Sequence, residues 1–74
     1  MIFNSLATWR AKRSPRGISK AHLSRQLGVS RSYIVKLENG KAQPSADFMF
    51  RAARYFGARI EDIFSYGDNQ TPDK

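Results

Sequence analysis

The chain contains no cysteine and one histidine, His22. Disulfide staples are therefore excluded, as is zinc held by thiolates, and a single imidazole cannot build a metal site alone. Acidic residues are scarce, six against thirteen Lys and Arg. The only adjacent carboxylates are Glu61 and Asp62. No catalytic constellation can be assembled from this set, so the expectation is a non-enzyme without metal, cofactor or small-molecule substrate. Long apolar runs are also missing; nothing approaches the roughly 20 residues needed to span a bilayer. The opening MIFNSLATWRAKR lacks the leading basic segment and long apolar core of a secretory signal. The expected location is cytoplasmic, with no membrane partner.

What is present is 74 residues carrying a net charge of +7 and nine aromatic side chains. A domain this small buries only about 60% of the surface its unfolded chain exposes. Its aromatics must therefore supply much of the core. The charge is unevenly placed. Residues 1–41 hold nine basic side chains against one acid, Glu38, for a net +8, whereas residues 42–74 hold four against five, for a net −1. A one-sided basic field attracts polyanions and speeds their capture.

Helical patterning predicts a first helix over about Asn4 to Arg13, with Phe3, Leu6, Ala7 and Arg10 on one face. Ser14-Pro15-Arg16-Gly17 breaks it. Ser19 is a good N-cap for a second helix ending at Gly28, and Ser30 caps a third that ends near Asn39. Ile18 with Leu23, and Val29 with Ile34, sit where hydrophobic staples belong. Ser45 caps a fourth helix that ends before Gly57, and Ile60 to Phe64 suggests a short fifth. Met49, Ala53 and Phe56 are expected to form the core stripe of the fourth helix.

The third helix is the candidate site. Ile34 and Leu37 face one way, expected to lie on Leu23 and Leu27. Arg31, Ser32, Val35, Lys36 and Asn39 lie on the opposite face. Exposed helices commonly pair their charges at i,i+4, but Arg31 faces Val35 and Lys36 has no acid on its own side. Arg and Lys can donate to guanine O6 and N7, Ser is adaptable, and Val35 can meet a thymine methyl. Lys20 and Lys41 flank this face as phosphate clamps should. Tyr33 is open to two readings, a contact with phosphate or packing against the first helix.

The string LSRQLGVSRSYIVKLENGKAQPS, followed by IEDIF, resembles the Cro/CI-type helix-turn-helix regulators, also called the XRE family, over about Leu6 to Phe64. The resemblance implies an all-α, compact five-helix bundle of the lambda-repressor-like DNA-binding type over residues 1–66; the polar composition of 67–74 predicts a disordered tail. It implies a homodimer on a palindromic DNA operator, with half-sites about 34 Å apart. Base reading falls to Arg31, Ser32 and Lys36, and phosphate contacts to Lys20, Asn39 and Lys41. It also makes Glu38 structural, paired with an Arg of the first helix. Arg10 fits the apolar register for that role, and Arg13 fits an ungapped alignment. The chain departs from the family pattern at Lys20, at His22, in a loop about three residues longer through Ser14-Pro15-Arg16, and at Arg59, a poor cap for the fifth helix.

Phe48, Phe50 and Tyr55, lying off the core stripe, join Ile63, Phe64 and Tyr66 as the expected dimer contact, since contiguous exposed apolar surface marks interfaces. The leading expectation is a repressor. An antitoxin-like protein masking a partner through that surface, a restriction–modification controller and a non-specific RNA-associated protein are the alternatives.

Overall fold

The computed structural model describes residues 1–13 and 16–67. Five helices follow one short strand and precede another: β1 (Ile2–Asn4), α1 (Leu6–Lys12), α2 (Lys20–Leu27), α3 (Arg31–Glu38), α4 (Ala46–Phe56), α5 (Ile60–Ile63) and β2 (Phe64–Tyr66). Among the described residues no helix is long and apolar enough to cross a membrane. The tail from Asp68 onward, and Ser14-Pro15 of the first loop, lie outside the described residues.

Three serines start three helices by the same chemistry. The hydroxyls of Ser19, Ser30 and Ser45 accept the backbone N–H of His22, Tyr33 and Phe48 at 3.0, 3.0 and 3.1 Å. Each satisfies an N–H that the helix itself cannot. The stapling residues Ile18 and Val29 pack against the core that holds Leu23 and Ile34. Gly28 closes α2 at φ +69°, a left-handed conformation that favours glycine. α5 begins differently. Arg59 supplies no capping acceptor; instead Asp62 accepts the Arg59 backbone N–H at 3.1 Å and its guanidinium at 3.1 Å.

The core is one cluster built from every helix: Leu6, Leu23, Leu27, Ile34, Leu37, Phe48, Ala52, Ala53, Phe56, Ile63 and Phe64. Two expectations are corrected here. The first helix starts later than its apolar pattern suggests, because residues 2–4 form β1, which runs antiparallel to β2 with Phe3 opposite Ser65. Phe3 therefore leaves the helix face and is 43% exposed. On α4, Phe48 replaces Met49 at the centre of the buried stripe: Phe48 is 2% exposed, whereas Met49 is half-buried. Phe48 meets Tyr33 edge-on at 5.4 Å and Phe64 at 6.3 Å, so it is the hub between α3, α4 and β2.

Candidate nucleic-acid interface

The site is α3 and what flanks it. Burial of Ile34 and Leu37 fixes which side of α3 turns inward. Arg31, Ser32 and Lys36 are consequently exposed, and Val35 is half-buried among them. Among the described residues, neither Arg31 nor Lys36 makes an ion pair; the four pairs are Arg10–Glu38, Arg51–Asp47, Arg59–Glu61 and Arg59–Asp62. Lys20 opens α2, Asn39 caps the C-terminus of α3, and Lys41 follows on the surface. Neither lysine is in one of those four pairs. The side chains grouped by sequence as base-reading and phosphate-holding thus sit on or just after the α2–α3 unit.

Tyr33 is half-buried. Its hydroxyl donates to the Gln43 carbonyl at 3.4 Å and accepts the Ser45 N–H at 3.3 Å. Both contacts tie the hydroxyl to the loop between α3 and α4. Its ring packs on Phe48 of α4, not on the first helix.

The inner end of α3 is locked by charge. Arg10, not Arg13, holds Glu38: Nε and Nη2 donate to the two carboxylate oxygens at 2.8 and 2.9 Å, and Nη1 donates to the Ile18 carbonyl at 2.9 Å. The hydrogen bond to Glu38 is the main reason the Arg10 guanidinium holds its proton more tightly than usual, with burial opposing it. Arg13 instead lies over Tyr55, 4.5 Å from its ring centre. A second tie was not foreseen. Asn4 donates its side-chain N–H to the Leu37 carbonyl at 2.9 Å and accepts the Leu6 N–H at 3.1 Å. No local pattern could reveal it, because its two partners belong to different helices. The C-terminal end of α3 is therefore tied to both α1 and β1.

The apolar surface expected to mediate pairing is smaller than the sequence suggested. Phe48, Ile63 and Phe64 are interior residues of the single chain, so they leave the exposed set. Tyr55 is half-buried, against Phe56 and beneath Arg13. Phe50 at 61% and Tyr66 at 83% exposure remain outside. Tyr66 also lines a shallow groove of about 190 Å³ together with Ile2, Met49, Ile60, Phe64 and Ser65. Among the described residues no group of three His, Asp or Glu side chains is placed to hold a metal.

This architecture, two capped helices on a glycine turn with the second helix presenting donors outward, defines the helix-turn-helix class. The helix-turn-helix family model matches residues 10–63. An uncharacterised HTH-type transcriptional regulator of Methanocaldococcus jannaschii is 40% identical over 67 residues, 90% of this chain and 97% of the relative. A second such regulator, from Archaeoglobus fulgidus, is 41% identical over 82% of this chain and 87% of its own length. A third, from Methanothermobacter thermautotrophicus, is 39% identical over 74% of this chain and 81% of its own length. The chain belongs to this helix-turn-helix family, the XRE type that its sequence resembles.

Proposed function

We propose that this protein is a homodimeric transcription regulator that binds a palindromic operator in double-stranded DNA, with α3 in the major groove, and that it represses by occupying a promoter. The observation that carries the reading is the outward face of α3: Arg31 and Lys36 are exposed and unpaired among the described residues on a helix tied from behind at its C-terminal end. In water such donors gain nothing from the fold. Against guanine O6 and N7 they gain two directed hydrogen bonds each for Arg, and a point-charge contact for Lys. Arg31, Ser32, Val35 and Lys36 read bases. Lys20, Asn39 and Lys41 hold phosphates, aided by the open N–H groups at the starts of α2 and α3. Binding of this kind weakens steeply with salt. Its chemistry needs no catalysis, metal or cofactor, and it acts where the chromosome is, in the cytoplasm.

Pairing of two copies presents two reading helices to half-sites about 34 Å apart. Of the aromatics expected to pair, Phe50 and Tyr66 are the exposed ones, Tyr66 lining the groove over Met49 and Ile60, and they are the surface for that pairing. The test is selection of bound duplexes from a random library, with sedimentation of free and DNA-bound protein. An inverted repeat with a dimer on it supports the reading, and no enrichment removes it. Specific binding by a monomer that co-purifies with a second protein would favour the antitoxin-like alternative.

A further inference from the structure

The angle of α3 depends on what holds the turn Gly28-Val29-Ser30 that carries it. Part of that hold comes from α4. Arg51 donates from Nη1 to the Leu27 carbonyl at 3.0 Å, and its Nε forms an ion pair with Asp47 at 2.9 Å. Leu27 is the last residue of α2, so its carbonyl is one of those that the helix cannot satisfy internally, at the negative end of the helix dipole. A guanidinium complements both features. Asp47 lies one turn earlier on α4 and aims it. The turn and the guanidinium are in close contact, since a Cβ on Gly28 would lie 3.1 Å from Arg51 Nη1.

Apolar packing does not do this work alone. Between the start of α3 and α4 is an open concavity of about 370 Å³, bordered by Val29, Ser30, Tyr33, Phe48 and Arg51 among others. At the opposite end α3 is fixed by Arg10 on Glu38 and Asn4 on Leu37. The N-terminal end, where Arg31 and Ser32 project, has the Arg51 strap across that gap.

We propose that Arg51 is a positioning residue for sequence reading: by tying the Leu27 carbonyl to α4 it sets the aim of the first turn of α3, and so sharpens discrimination between base sequences without touching DNA. The inference rests on α3 being the reading helix. Arg51→Met keeps the aliphatic stem and removes the donors. Arg51→Lys keeps the charge but cannot make both contacts in the same geometry.

Two measurements test it. Amide exchange of Val29 to Tyr33 in the free protein should rise about tenfold in both variants, with α1 unchanged. The ratio of affinities for the selected duplex over a scrambled duplex should fall about tenfold, while the slope of log K against log salt stays as in the parent. If the slope falls by about one and the ratio is unchanged, Arg51 is a phosphate contact and the proposal is wrong. Unchanged exchange, or a parental ratio in Arg51→Lys, also overturns it. Should Arg51→Met fail to fold, Asp47→Ala on an exposed acid gives the same test. It should show a smaller fall of about threefold, and parental values in both measurements would refute the strap. Failure of the parent protein to enrich any duplex would sink the DNA reading instead, and exchange would still decide whether the strap holds the turn.

Discussion

Replacing Glu38 by Gln tests the lock behind α3. The side chains of Arg10 and Glu38 are only 17% and 9% exposed, and two charge-assisted hydrogen bonds join them. Glu38→Gln keeps the shape and removes the charge, leaving the Arg10 guanidinium mostly desolvated without its counter-ion. Breaking a buried pair by removing one partner typically costs about 3–5 kcal/mol. The third Arg10 bond, to the Ile18 carbonyl, survives the substitution, so the low end, about 3 kcal/mol, is the expectation. At roughly 0.05–0.15 kcal/mol per residue, that is about a quarter or more of the stability of a chain of 74 residues. With about 4–8 °C per kcal/mol for a domain of this size, the melting point should drop by about 12–24 °C. Urea and thermal melts of Glu38→Gln, Arg10→Met and the double variant measure it. The double variant should cost clearly less than the two single losses added together, because it leaves no orphaned charge. A single-variant cost below about 1 kcal/mol, or strict additivity, would refute the lock.

Other expectations follow from burial and titration. Phe48→Ala should cost about 3–5 kcal/mol, as removal of a fully buried aromatic does, and thermal melts check it. Phe50→Ser and Tyr66→Ser together should leave each chain's melting near the parental value at high dilution but abolish dimers in sedimentation; an unchanged dimer would move the pairing surface elsewhere. The Asp62 carboxyl is held below the usual carboxylate range, chiefly by its side-chain hydrogen bond with Arg59. A lowered folded value means that its contribution is intact above the unfolded value of about 3.9 and is lost as pH falls through the folded one. Trp9 donates to the Asp62 carbonyl at 3.3 Å, so Trp9 fluorescence should report loosening of α5 only in that acid window. Asp62→Asn should remove the acid step, and an unchanged step would place its origin elsewhere.

Short-range chemistry made most of the fold legible. Serine caps, staples and the glycine turn act within five residues, so Ser19, Ser30, Ser45 and Gly28 announce α2, α3 and α4 directly. The outward face of α3 follows from Ile34 and Leu37 alone. What stayed hidden depends on partners distant in sequence. Phe3 and Asn4 read as the start of a helix because Phe3, Leu6 and Ala7 happen to share helical spacing; the strand over residues 2–4 exists because residues 64–66 lie alongside. Phe48 and Met49 are neighbours on a wide apolar face, and only the position of Tyr33 and Phe64 decides which is buried. Asn4 and Arg51 carry no motif. Each matters through a carbonyl on another helix, and carbonyls leave no mark on a sequence.

The most direct measurement of base reading by α3 compares Arg31→Ala with Lys41→Ala on the selected duplex and on its single-base variants. Arg31→Ala should cost about 1–3 kcal/mol and relax preference at one base position, whereas Lys41→Ala should weaken all sequences alike and reduce the salt slope by about one. The same sequence-blind loss from both substitutions would contradict base reading by the exposed face of α3.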